Sequence, residues 1–130
     1  MKTIKRKDLL YPELSYKIVG ILFEVFNELG YRYQEKYYQR AIRGALQKLN
    51  VLFREQVNIP LKFQEVSIGR YVLDFLIDNK IALEIKRGDY FSKKDIEQLL
   101  AYLKASKLKL GILVRFSSKG IKFKRIVNLK

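Results

Sequence analysis

The chain contains no cysteine and no histidine, and these two absences exclude a large share of enzyme chemistry. Without cysteine there is no disulfide framework and no thiolate metal site, and the composition suits a reducing cytoplasm. Without histidine there is no Ser-His-Asp triad, no Cys-His dyad and no histidine-bearing zinc centre. An enzyme built from this chain has to draw its acid–base and metal chemistry from Asp, Glu, Lys or Tyr. Long apolar runs are missing too: none approaches the roughly 18 residues that a membrane-spanning helix needs. The basic start, Met1 to Asp8, is followed only by short apolar pieces interrupted by Pro12 and Glu13, and does not read as a targeting segment. The expectation is a soluble, cytoplasmic protein.

Acidic residues are in short supply. There are 13 against 27 Lys and Arg, for a net charge of +14 and a pI near 10.0. A field of that sign attracts polyanions, of which nucleic acid is the commonest. The competing readings are a merely soluble Lys-rich protein and one whose charge meets an acidic protein partner. An anionic membrane surface ranks lower, because the basic residues are spread along the chain rather than gathered on one amphipathic helix. With 130 residues, 48% of them hydrophobic, residues 1–130 suit a single domain with one core.

Hydrophobic spacing predicts the elements. Pro12 suits a helix's first turn, and Leu14, Ile18, Ile21, Leu22, Val25 and Leu29 follow at helical intervals up to a stop at Gly30. A second helix is expected from about Gln34 to Leu49. From Val51 the period shortens: Val51–Val57 and Ile59–Phe63 read as strands broken by Pro60, and Ile68-Gly69 as a turn. Tyr71–Ile77 and Ile81–Ile85 read as strands joined by a turn at Asp78-Asn79-Lys80. Ser92 to Asp95 resembles a capping box, opening a helix that carries Ile96, Leu99, Leu100 and Leu103. Strands at Leu110–Phe116 and Ile121–Val127 follow. The predicted fold is α/β, a central mixed sheet of about four or five strands flanked by helices.

Two carboxylates in this pattern need an explanation. Asp74 lies within the apolar run Val72–Ile77, and a carboxylate there is costly to bury unless something compensates it. Strand alternation sets Val72, Asp74 and Leu76 on one face and Leu73, Phe75 and Ile77 on the other. The next strand puts Ala82, Glu84 and Lys86 on a shared face. If Ile77 pairs with Ile81, Asp74 falls opposite Glu84, and Val72 opposite Lys86. Opposed like charges destabilise a sheet, and Lys86 supplies only part of the missing positive charge. A divalent ion would satisfy both acids, and Mg²⁺ binds through a few carboxylate oxygens, water and phosphate with no histidine. The bland alternative is a half-buried Asp74–Lys86 or Glu84–Lys86 salt bridge.

Asp74, followed ten residues later by Glu84-Ile85-Lys86, resembles the D…(D/E)-x-K core of the PD-(D/E)XK nucleases. Gln98-Leu99-Leu100-Ala101-Tyr102 is similar to the Q-x-x-x-Y motif of the RecB-type members. The stretch Leu29 to Tyr38, with Glu35 and Tyr38, resembles the signature of the small GxxExxY proteins, although Arg32 stands where that signature has its first glycine. Leu73 occupies the place of the superfamily's proline. The resemblance runs from about residue 15 to 127. It implies a restriction-endonuclease-like core and a Mg²⁺- or Mn²⁺-dependent nuclease acting on nucleic acid, with DNA ranked above RNA. It also implies that Asp74 and Glu84 bind metal, with Glu35 and the carbonyl of Ile85 assisting. Lys86 then orients the nucleophile, Gln98 lies beside the metal, and Tyr102 supports a phosphate or the site's geometry. Arg70, Arg87, Lys93 and Lys94 are candidate phosphate contacts by position, although for each taken singly a solvated surface charge is the stronger reading. Two rivals keep the fold: a non-catalytic nucleic-acid-binding protein, and a homodimeric junction-resolving endonuclease.

Overall fold

The computed structural model describes residues 10–129, so the basic start Met1–Asp8 lies outside the described residues. Helix α1 (Pro12–Leu29) starts at the expected proline and ends at Gly30, whose φ of 72° turns the chain while its N–H donates to the Phe26 carbonyl. Helix α2 (Glu35–Lys48) follows after a short loop. The chain then forms β1 (Phe53–Phe63), β2 (Val66–Ile77) and β3 (Ile81–Arg87), crosses through α3 (Lys93–Ser106), and returns as β4 (Leu110–Ser117) and β5 (Gly120–Val127).

The strands make one mixed sheet in the order β1-β2-β3-β4-β5. Neighbours run antiparallel except β3 and β4, whose parallel pairing follows from the α3 crossover. Helices α1 and α2 cover one face, burying Ile18, Leu22, Tyr38, Ile42 and Leu46 against Phe75, Leu83, Ile112 and Phe116. Helix α3 covers the other, burying Leu99, Tyr102 and Leu103 against Leu73, Ala82 and Leu113. Covered on both sides, β3 and β4 are buried along nearly their whole length. Helix α3 lies so close that a Cβ on Gly111 would stand 3.0 Å from Leu99 Cγ. The α/β architecture with a central mixed sheet is as the sequence predicts.

Three local expectations need correction. Pro60 does not break a strand: β1 is continuous through it, pairing Pro60 with Arg70. The reason is that β1 is an edge, where an outward-facing N–H needs no partner and proline is tolerated. Ile68-Gly69 is not a turn but a β-bulge, since Leu61 pairs with Gly69 while Lys62 pairs with Ser67. The true turn is Gln64-Glu65, with both residues at positive φ.

The third correction bears on the site. Leu73 is buried on the α3 side of the sheet, whereas Phe75 and Ile77 are on the α1–α2 side, so strict alternation fails at Asp74. The rung between Gln56 and Asp74 is missing from the ladder, and Gln56 has a φ of 49°. Strand β1 changes sides at the same place: Phe53 packs on the α1–α2 side, while Val57 and Ile59 pack on the α3 side. A left-handed residue rotates the strand about its axis, so the two halves of the β1–β2 ribbon present opposite faces.

Candidate active site

The β2–β3 hairpin keeps the expected register at Ile77↔Ile81, Leu76↔Ala82 and Phe75↔Leu83. The next rung, Asp74 opposite Glu84, is closed by side chains. The Asp74 N–H donates to Glu84 Oε1 at 3.2 Å, and the Ile85 N–H donates to Asp74 Oδ2 at 2.8 Å. Beyond this point β2 pairs only with β1, so Val72 does not pair with Lys86 as the hairpin count suggests. Two carboxylates thus sit where two strands part, each satisfying a backbone donor that the ladder leaves free.

Their environment works against ionisation. Burial is the main cause that pushes Glu84 up to about 8, with the negative charge of Asp74 adding to it; the Asp74 N–H and Lys86 act the other way. Asp74 is also raised, again by burial first and then by the charge of Glu35, while its bond from Ile85 and the charge of Lys86 oppose the shift. Carboxyls so placed hold their charge readily only beside additional positive charge.

Lys86 supplies some of it. Its Nζ is 3.8 Å from Glu84 Oε2 and 3.7 Å from Asp95 Oδ1 at the start of α3. Asp95 in turn holds Arg115 Nη2 at 3.1 Å through Oδ2. Arg115 is buried on β4, donates to the Arg87 carbonyl at 2.9 Å and stacks over Phe91. Half of the expected capping box forms, since Ser92 Oγ accepts from the Asp95 N–H at 3.0 Å. The Asp95 carboxylate goes to the two cations instead of back to the cap. Sequence reading missed Asp95 and Arg115 as parts of this chain of charges. The signal available was Arg115 itself, a charge inside the apolar run Leu110–Phe116, as conspicuous as Asp74.

The other candidates fall into two groups. Glu35 is the first residue of α2 and exposed, yet close enough for its charge to act on Asp74. Its loop is tied down by Arg87, whose Nη2 donates to the Tyr31 carbonyl at 2.8 Å, and by Tyr38, whose hydroxyl donates to the Gly30 carbonyl. Gln98 is half-buried on α3. Tyr102 is buried with its ring centroid 5.6 Å from that of Tyr71. The hydroxyls of Tyr102 and Ser106 neighbour one another, but neither has a partner within ordinary hydrogen-bond distance. Tyr71, which sequence reading also missed, lies near Glu84; burial, then that carboxylate, push its phenol well above the usual value. Away from this centre, Arg70 is exposed on the outer part of β2. Lys93 and Lys94 are exposed on the first turn of α3, with Lys93 4.0 Å from Glu97.

Among the described residues no three Asp or Glu side chains converge into an all-protein metal cage. The Asp74–Glu84 pair nevertheless fits a Mg²⁺-type ion, which keeps several waters and binds through one or two carboxylates plus phosphate. The fit rests on the pair's own chemistry: two crowded, desolvated carboxyls with only a shared lysine for counter-charge.

The acid pair thus stands where β2 and β3 part, with Lys86 on the same strand as the second acid. The description of the PD-(D/E)XK nuclease superfamily matches residues 12–126, and the chain belongs to that superfamily. Among curated proteins none matches it. A crystal structure of a protein called SSO0001 is similar, with 20% identity and a TM-score of 0.55. That likeness covers 91% of this chain and 57% of the other, so this chain spans little more than half of that protein's length. At such identity the likeness speaks for the fold.

Proposed function

We propose that the protein is a metal-dependent nuclease that hydrolyses phosphodiester bonds of nucleic acid, with DNA ranked ahead of RNA. The observation that carries this reading is the pair of half-buried Asp74 and buried Glu84, with Lys86 Nζ 3.8 Å from Glu84. Asp74 and Glu84 are the residues to hold Mg²⁺ or Mn²⁺, with the Ile85 carbonyl beside them and Glu35 assisting from the start of α2. When bound, such an ion polarises a phosphoryl oxygen and lowers the pKa of its water. Lys86, oriented between Glu84 and Asp95, positions the attacking water and offsets charge developing on the phosphate. Gln98, half-buried on α3, is assigned the place beside the metal, and Tyr102 supports the site through its ring contact with Tyr71.

The exposed Arg70, Lys93 and Lys94 are candidate phosphate contacts, together with the guanidinium nitrogens of Arg87 that Tyr31 does not engage. The RecB-like helix motif and the GxxExxY-like stretch fit this reading, as does one domain over residues 1–130. The net charge supports a nucleic-acid partner. Among the described residues no helix is long and apolar enough to cross a membrane. A cytoplasmic location is part of the proposal. A second reading, a non-catalytic nucleic-acid-binding protein, is favoured by one observation: among the described residues no three acids gather closely enough to hold a metal ion by themselves.

The test is cleavage of labelled single- and double-stranded DNA in Mg²⁺, Mn²⁺ or EDTA by wild type, Asp74→Ala and Lys86→Ala. Metal-dependent cutting abolished by both substitutions supports the nuclease. Salt-sensitive binding without cutting, unaffected by Asp74→Ala, favours the second reading.

A further inference from the structure

Above Asp74 the β1–β2 hairpin leaves the sheet. From Val66 to Leu73, strand β2 has only β1 as a neighbour, and the two run on together to the Gln64-Glu65 turn. The base of this ribbon belongs to the candidate site: Tyr71 lies near Glu84 and packs on Tyr102. Its outer part does not pack on the domain. Phe63, Val66 and Ile68 are 61%, 62% and 66% exposed, and Lys62 and Arg70 are exposed with them. At ~3.4 Å per residue, the ribbon reaches roughly 17 Å past Tyr71.

A two-stranded ribbon that packs against nothing is marginal by itself, so an exposed apolar tip points to a surface that receives it. A second copy adding a strand along β1 is disfavoured. Pro60 removes a donor from that edge, and the bulge at Leu61/Lys62 twists it away. Duplex nucleic acid fits better. The major groove, ~12 Å wide and ~8.5 Å deep, admits a two-stranded ribbon, and thymine methyl groups there accept apolar side chains. Lys62 and Arg70 match flanking phosphates, and the whole chain carries +14.

We propose that the β1–β2 ribbon enters the major groove of duplex DNA and holds the duplex against the acid pair. The inference rests on the nuclease reading for what lies at the ribbon's base and adds that the substrate is double-stranded. The ribbon is then a gauge of duplex geometry: single strands offer no groove to fill.

The test measures binding in EDTA, where no metal-dependent cutting occurs. Labelled duplex and single-stranded DNA of equal length are titrated with wild type, with Lys62→Ala/Arg70→Ala, and with Phe63→Ser/Val66→Ser/Ile68→Ser. Each variant should weaken duplex binding about tenfold or more and change single-strand binding less than about twofold. The Lys62/Arg70 variant should also reduce the slope of log affinity against log salt by about two. Duplex carrying bulky major-groove substituents should bind wild type poorly and the variants no worse than plain duplex. Equal loss on both substrates, or none, overturns the proposal. So does a wild-type dimer that the triple serine variant dissociates, which would assign the tip to chain–chain contact. The Lys62/Arg70 variant alters only exposed side chains and decides the matter if the serine variant does not fold. If the ribbon proposal fails, the cleavage test of the nuclease reading still stands by itself, and a protein that never cuts can still show the ribbon effect.

Discussion

Asp74 and Glu84 are joined by a crossed pair of bonds: the Asp74 N–H donates to the Glu84 carboxylate, and the Asp74 carboxylate accepts from Ile85, the residue after Glu84. Two adjoining acids, Glu84 buried and Asp74 half-buried, are thereby held by backbone donors, with Lys86 as their shared cation. This arrangement is costly in the absence of an additional positive charge, and its consequences are measurable.

The first concerns pH. An unperturbed Glu titrates near 4.5, and Glu84 in the folded chain is pushed up to about 8. Between those values the folded protein holds a proton that the unfolded chain has lost. Stability in EDTA should therefore fall as pH rises through that window, and Asp74, also raised, acts in the same direction. Thermal melts from pH 5 to 8.5 test this. Glu84→Gln should flatten the profile, and Mg²⁺ should stabilise wild type more at pH 8 than at pH 5.

Asp95 carries a structural burden that its position near a helix cap conceals. It is ion-paired with Arg115, whose side chain is almost fully buried. Asp95→Ala leaves that guanidinium without its acid and should cost about 3 kcal/mol in urea denaturation. Asp95→Ala/Arg115→Met should recover most of the loss. If the single variant is as stable as wild type, the pair contributes nothing.

Tyr71→Phe removes the hydroxyl near Glu84 while keeping the ring against Tyr102. A group that supports a metal-binding carboxylate typically accounts for about tenfold or more in metal affinity. Calorimetric titration with Mn²⁺ should show a weakening of that order with little change in melting temperature. Unchanged affinity would remove Tyr71 from the site.

The tip turn offers a stability test separate from chemistry. Gln64 and Glu65 both have positive φ, the pattern of a tight hairpin turn normally filled by Asn-Gly. Gln64→Asn/Glu65→Gly should stabilise the protein by about 1 kcal/mol, because both new residues tolerate that backbone better. Equilibrium unfolding decides it.

Much of this was legible in one dimension. Helices α1, α2 and α3, the turn that sets the Ile77↔Ile81 register, and the shared face of Glu84 and Lys86 all follow from local periodicity and turn chemistry. Such features depend on neighbours a few residues away, which a sequence displays directly. Asp74 and Glu84 stood out for a related reason: a carboxylate inside an apolar strand contradicts its surroundings.

What the sequence left open was decided by contacts between distant segments. Strict alternation sets Tyr71 and Leu73 on the side away from Asp74. The missing rung at Gln56 turns the ribbon over and brings Tyr71 and Leu73 onto the α3 side, Tyr71 beside Glu84. Asp95 and Arg115 are twenty residues apart along the chain and meet only because β4 lies parallel to β3 with α3 across them. The sequence by itself determined which residues are charged, where the helices and strands β3 to β5 form, and that two acids share a hairpin. Tertiary structure decided which faces those acids meet and which cations reach them, because a buried charge is stabilised by whatever the fold brings within a few ångströms of it.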